Sequence, residues 1–350
     1  MVTIKYRARA ITLKKMKKVD SALELIGNTP LVRINRLNPN PDVEIYAKLE
    51  RMNPTGSIKD RIAYYMIKDA EEKGYIDKDT IIVEATSGNT GLGLAMVCAI
   101  KGYHLHLTMS RSVSIERVRM LTALGAEIEF TSADEGTDGA IRRAEELAKQ
   151  DGYWKPNQFD NPINMMTHYW TTGEEILDAL DGKLTHFVAG MGTTGTIMGV
   201  SKRLKEHDPS IKVIGAEPTT DYCIQGLKNM SENIVPGIYE PERIDEVRTI
   251  RDEDAFETAR KLAIKEGLFV GMSSGAAMYL CMELAEELDE GTIVTIFPDG
   301  GEKYFSTPLF DVTECIRCIK EHGQRADHLP DNVTQYIRNI NKLMKHNGGI

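Results

Sequence analysis

At 350 residues, with 41% hydrophobic and 27% charged side chains, the chain can bury a sizeable core and reads as a soluble globular protein of two domains or one large one. A formal net charge of −9 argues against general nucleic-acid or membrane binding, and no apolar run reaches the length that spans a bilayer. Five cysteines in a chain this long do not form a disulfide framework, so a reduced, cytoplasmic protein is the expectation.

Charge is uneven at the start. Residues 1–18 carry Lys5, Arg7, Arg9, Lys14, Lys15, Lys17 and Lys18 with no acid, and read as a basic tail. A secretory signal would need a continuous apolar core, and a transit peptide would need serine and a better helical face. Met16 opens MKKVDSALELIGNTPL, a plausible alternative beginning. Next, NPTGSIKDR (53–61) sets Lys59 just ahead of a predicted helix. The positive end of a helix dipole disfavours an ammonium, so Lys59 is expected to have a depressed pKa. As a free amine it suits a Schiff base with a carbonyl cofactor. The bland alternative is a solvated surface charge.

IIVEA (81–85) predicts a strand that runs into TSGNTG (86–91) and an apolar helix from Leu92. The hydroxyls of Thr86, Ser87 and Thr90, the Asn89 amide and backbone N–H groups then surround a helix N-terminus, a donor set suited to a carboxylate. HLHLTM (104–109) predicts a strand before a helix over 116–125 closed by Gly125, and EIEFT (127–131) precedes a charged amphipathic helix over 138–150. Residues 151–164, with Pro156, Asn157, Asn161 and Pro162, break the pattern and are expected to link two lobes.

HFVAG (186–190) leads into GMGTTGTIMG (190–199), where glycines aim N–H groups outward and Thr193, Thr194 and Thr196 add hydroxyls. That is a phosphate cup. The same loop satisfies GxGxxG, and Glu217 ends the next strand KVIGAEP (212–218), so a dinucleotide site is the competing reading. GMSSGAA (271–277) puts Ser273 and Ser274 at another strand–helix junction, with plain N-capping as the alternative. TIVTIF (292–297) runs into PDGGEK (298–303), either a phosphate loop or a tight turn. Cys98 and Cys281 fall in apolar helical patterns and read as packing residues. Cys315 and Cys318 have redox or zinc spacing but form a single pair without finger histidines, so no metal is expected. Strands alternating with helices predict an α/β fold of parallel-rich sheets covered on both faces, with ligands at the carboxyl ends of the strands.

NPTGSIKDR, TSGNTG, QFDNP (158–162), GMGTTGTIMG and GMSSGAA, in this order and spacing, resemble the cysteine synthases (O-acetylserine sulfhydrylases). These are fold-type II pyridoxal-phosphate enzymes, similar in fold to tryptophan synthase β. THFVAGMGTTGTIMGVSKRL resembles the B-type branch most closely, and the likeness runs over about residues 18–312. It implies a smaller mobile domain over 53–162, a larger one of 19–52 with 163–318, and a C-terminal extension over 319–350.

The resemblance also implies pyridoxal 5′-phosphate carried by Lys59 as an internal aldimine. Gly192, Thr193, Thr194, Gly195 and Thr196 would hold its phosphate, Asn89 would bond its 3′-oxygen, and Ser273 would face its ring nitrogen. Thr86, Ser87, Thr90 and Gln158 would grip the substrate carboxylate. The implied reaction is a β-replacement. An O-activated L-serine (O-acetylserine or O-phosphoserine) loses its β-substituent through an aminoacrylate, and sulfide or thiosulfate adds to give L-cysteine. In phosphoserine-using members, the segment matching YCIQGLKNMSENIVPG (222–237) presents an arginine, whereas Lys228 stands here and attracts phosphate only as a point charge. A homodimer and binding of serine acetyltransferase are implied as well. Cystathionine β-synthase or cyanoalanine synthase chemistry, and a non-catalytic scaffold in a cysteine regulatory complex, are the competing readings.

Overall fold

Apolar, β-branched runs pair into two sheets, and the glycine turns that follow them become helix starts. The computed structural model describes residues 18–86, 88–232 and 234–323. Among these, the strands are β1 (Leu31–Ile34), β2 (Val43–Leu49), β3 (Ile81–Ala85), β4 (His104–Ser110), β5 (Glu127–Thr131), β6 (Tyr153–Trp154), β7 (His186–Gly190), β8 (Lys212–Pro218), β9 (Glu246–Ile250) and β10 (Gly291–Phe297). The larger sheet has the order β1-β2-β10-β7-β8-β9 and is parallel except for β1, which runs antiparallel to β2. The smaller sheet, β5-β4-β3-β6, is parallel throughout.

The strands expected at 81–85, 127–131, 186–190 and 212–218 have those limits, and those at 104 and 292 differ by one residue. β6 is too short, and β9 too polar and exposed, to stand out as an apolar run. The helix expected from Leu92 begins earlier, as Asn89–Lys101, because Asn-Thr-Gly of the loop is itself the first turn. The helices expected over 116–125 and 138–150 span Ile115–Ala123 and Gly136–Leu147. The segment 151–164 contains β6 and the start of the Pro162–His168 helix, where the Asn161 side chain accepts the Ile163 N–H at 3.0 Å.

The Asn89–Lys101 helix is apolar nearly all round because it is buried nearly all round. Leu94 and Val97 pack with Ile82 and Leu105 of the sheet and with Ile67 and Ala70 of the Lys59–Glu72 helix. In the larger sheet, Met278, Cys281 and Ala285 of the Met272–Glu287 helix cover one face, against Ile45, Val188 and Ile293. Ile197, Val200 and Leu204 of the Gly195–His207 helix cover the other, against Phe187 and Val294. With both faces closed, the strand ends are where a ligand can enter. Cys98 and Cys281 are buried packing residues, as expected. Cys315 and Cys318 sit one turn apart on the Val312–His322 helix, and burial pushes both thiols up. Most of the basic tail (1–17) and of the C-terminal extension (324–350) lies outside the described residues. No helix among the described residues is long and apolar enough to cross a membrane.

An ion quartet anchors the first turn of the Lys59–Glu72 helix. Arg61, 1% exposed, reaches Glu50 at 2.8 and 2.9 Å and Glu175 at 2.6 and 2.7 Å. Lys48 completes the set at 2.7 Å from Glu175. Burial works to raise the pKa of both carboxylates, but Arg61 and Lys48 outweigh it and hold each below its ordinary value. The stability they lend is therefore complete above the ordinary value of 4.5 and is lost as pH falls through the lowered folded value. Arg61→Met leaves two carboxylates facing one lysine, one of them fully buried. It is expected to cost about 3–5 kcal/mol in urea unfolding and to move acid unfolding to higher pH than in the wild type.

Candidate active site

The carboxyl ends of β3, β7 and β10 converge on one cavity. Lys59, Asn89, Gly192, Thr193, Thr194, Thr196 and Ser273 all line it, and its volume is about 70 Å³. Residues far apart in the chain, picked out as local turns, thus meet in one place.

Lys59 is the first residue of its helix. The Ile58 N–H donates to Pro298 O at 2.8 Å and the Lys59 N–H to Ser57 Oγ at 3.2 Å, which fixes where the side chain enters. Partly buried, it faces the cavity, and Nζ donates to Thr193 Oγ1 at 3.3 Å. Burial lowers its pKa to about 8. The sequence pointed to the helix dipole; the structure adds dehydration as the cause.

The anion loop follows β7. Thr194, at φ +64°, takes the left-handed conformation, and its hydroxyl donates back to Thr193 O at 2.7 Å instead of capping the Gly195–His207 helix. The first N–H groups of that helix are left for a ligand. The loop tolerates only glycine at two points. A Cβ on Gly192 would overlap the Gly226 carbonyl oxygen, and one on Gly195 would overlap Asn164 Oδ1.

Two supports of this loop carried no motif. Asn164 Nδ2 donates to Thr193 Oγ1 at 3.1 Å and to Gln158 O at 2.7 Å. His168 Nε2 lies 3.3 Å from Thr196 Oγ1, and Nδ1 lies 2.9 Å from Thr172 Oγ1. Burial, with the Lys59 and Arg61 charges, holds His168 well below its ordinary pKa and keeps it neutral. The two residues are four apart on the Pro162–His168 helix, so their shared face was the sole sequence signal.

Ser273 is buried in the first turn of the Met272–Glu287 helix. The strand expected before it is absent, since Val270 forms only a single antiparallel bridge with Gly300 and the segment takes its place from the loop after β10. Asn89 opens its own helix, and Asp299 and Lys303 hold its amide. Thr90 and Gln158 are brought together: Thr90 Oγ1 donates to Gln158 Oε1 at 2.6 Å. Thr86 lies on the wall of an adjoining cleft of about 370 Å³, with Arg117 and Lys303. Ser87 lies outside the described residues. Lys228 is not among the residues that line the Lys59 cavity. Its Nζ stands 4.5 Å from the Phe159 ring centroid, in a cleft shared with Asp138 and Glu232. Burial lowers its pKa, though Asp138 opposes the shift. For the dinucleotide reading, Glu217 commits Oε1 to the Met230 N–H, so that reading gains nothing.

A dehydrated amine, a glycine-lined helix start without a side-chain cap, an amide and a hydroxyl around one cavity fit a phosphorylated pyridine aldehyde. The family described as pyridoxal-phosphate dependent enzyme matches residues 22–299. A cysteine synthase of Aquifex aeolicus (strain VF5) is 47% identical over 304 residues, 84% of this chain and 93% of that protein. The crystal structure of cysteine synthase from Entamoeba histolytica superposes with a TM-score of 0.82 at 33% identity, over 92% of this chain and 99% of that one. That of an O-acetylserine dependent cystathionine β-synthase from Helicobacter pylori does so with a TM-score of 0.79 at 37% identity, over 85% and 100%. This chain belongs to the cysteine synthase family of pyridoxal-phosphate dependent enzymes, with the fold-type II α/β architecture and pyridoxal 5′-phosphate as cofactor.

The Lys59 shift has a direct consequence. Mixing apoenzyme with pyridoxal 5′-phosphate should yield the yellow complex at a rate that rises with pH through a midpoint of about 8, as the ammonium gives way to the free amine. A midpoint at the ordinary lysine value of about 10.4 would mean that the amine is not dehydrated.

Proposed function

We propose that the protein makes L-cysteine by β-replacement on an O-activated L-serine. The observation that carries this reading is Lys59 Nζ, dehydrated and facing the Thr193 hydroxyl in a cavity shared with Asn89 and Ser273. Bound pyridoxal 5′-phosphate supplies an electrophilic carbonyl for the substrate amine and a ring that takes up the electrons of the broken Cα–H bond.

Lys59 Nζ removes the Cα proton of the bound amino acid and later returns it. A pKa of about 8 leaves part of the amine neutral near pH 7. The 192–196 loop holds the phosphate through N–H groups, and Asn89 meets the 3′-oxygen. Ser273 meets the ring nitrogen. As a neutral hydroxyl, it does little to keep that nitrogen protonated, which favours loss of the β-substituent over transamination. Thr86, Ser87, Thr90 and Gln158 hold the α-carboxylate and so orient Cα toward Lys59. The Thr90–Gln158 hydrogen bond supports that grouping.

Residues 53–162 are the smaller mobile domain of this reading, and 19–52 with 163–318 the larger. The two separate sheets support the division. A homodimer, a cytoplasmic location and binding of serine acetyltransferase belong to the same reading, supported by the family relationship. The position of Lys228 outside the Lys59 cavity favours acetate over phosphate as leaving group. The Helicobacter pylori neighbour keeps one second reading, transfer to homocysteine on the same scaffold.

Steady-state kcat/KM for O-acetylserine, O-phosphoserine and serine, each against sulfide, thiosulfate and homocysteine, separates these readings. O-acetylserine with sulfide is expected to be best. A preference for homocysteine would move the assignment to cystathionine formation. If O-phosphoserine is used, Lys228→Ala should raise its KM far more than that of O-acetylserine; equal effects remove Lys228 from substrate recognition.

A further inference from the structure

The loop PDGGEK (298–303) reads in the sequence as either a phosphate loop or a turn. It follows β10 in the larger sheet and touches three parts of the cavity. Pro298 O accepts the Ile58 N–H at 2.8 Å, one residue before Lys59, and Asp299 O accepts the Gly271 N–H at 3.2 Å, two residues before Ser273. Its side chains cross the cleft to Asn89, which follows β3 of the smaller sheet. Lys303 Nζ donates to Asn89 Oδ1 at 2.7 Å. Asn89 Nδ2 donates to Asp299 Oδ2 at 2.7 Å, and Tyr304 OH donates to the same oxygen at 2.7 Å.

A side-chain amide can turn over, exchanging donor and acceptor at little steric cost. Lys303 removes that freedom. An ammonium has only donors, so it selects Oδ1; a carboxylate oxygen selects Nδ2. The two selections agree. Asp299 takes one of the two Nδ2 hydrogens, and the other is left for an acceptor in the cavity that Asn89 lines. Turned over, Asn89 would set donor against donor at Lys303 and acceptor against acceptor at Asp299, and would face the cavity with a lone pair. Asp299 is almost completely buried, and its other oxygen, Oδ1, has no hydrogen-bond partner among the described residues. Burial pushes Asp299 up and Lys303 down from their ordinary values, and each charge opposes the other's shift, so removing either strands its partner.

We propose that Lys303 and Asp299 are positioning residues that fix the Asn89 amide with Nδ2 toward the cofactor's ring oxygen, as a latch across the cleft. This rests on the reading that Asn89 meets the cofactor. PDGGEK is then neither a phosphate loop nor a plain turn.

The test uses the full chain with pyridoxal 5′-phosphate itself as probe, and reads its dissociation constant and visible spectrum besides turnover. Lys303→Met is expected to weaken cofactor binding about tenfold, as suits the loss of one charged hydrogen bond, and to shift the visible band. Lys303→Arg should restore both. In an Asn89→Ala background, Lys303→Met should have no further effect, because the group that it orients is gone. Wild-type spectrum and affinity in Lys303→Met, beside an Asn89→Ala enzyme altered in both, overturn the latch and leave the role of Asn89 standing. An unaltered Asn89→Ala enzyme instead sinks the reading of Asn89 and the latch with it. Equal losses from Lys303→Met with and without Asn89 would mark the lysine as a fold element only and overturn the latch, which keeps the test decisive even where Lys303→Met lowers stability.

Discussion

Taking an ammonium out of water costs several kcal/mol unless a counter-charge recovers it. Lys59 and Arg61, two residues apart on one helical turn, treat this cost in opposite ways. Arg61 is surrounded by Glu50 and Glu175 and stays charged. Among the described residues, Lys59 Nζ meets only a threonine hydroxyl, and its pKa falls to about 8. One basic residue is therefore structural and the other chemical. The quartet holds the turn in place, so that the neighbouring amine stays dehydrated without a carboxylate to neutralise it.

Apart from Ser273, whose helix follows a single bridge residue rather than a strand, the other groups discussed reach the cavity by the same device. A parallel strand ends, a turn reverses the chain, and a helix begins with its N–H groups directed back at the strand tips. β3 delivers Asn89, β7 delivers Gly192, Thr193, Thr194 and Thr196, and β10 delivers Asp299, with Lys303 reaching Asn89 from the same loop. Since the first of these belongs to the smaller sheet and the others to the larger, polar contacts between them bridge the cleft. Asn89 with Lys303 and Arg117 with Gln225 are two such bridges.

What was legible in the sequence was what is local. TSGNTG, GMGTTG and GMSSG are turns whose residue types follow from backbone geometry within a few positions, and the structure brings Asn89, Gly192–Thr194, Thr196 and Ser273 to Lys59. Residues that act across the chain left no such trace. Asn89 and Lys303 are 214 positions apart, and Asn164 and Thr193 are 29 apart, so no spacing announces either pair. β9 was hidden because an exposed strand needs no apolar alternation. Lys228 was singled out through its segment; its side chain lies over the Phe159 ring, where a partly buried cation finds a favourable face.

The most direct measurement is to reduce the holoenzyme with borohydride, digest it and locate the added mass by peptide sequencing in a mass spectrometer. A single pyridoxyl group on the ε-nitrogen of Lys59 is the expected result. The same mass on any other lysine, or on none, would contradict the assignment of this cavity.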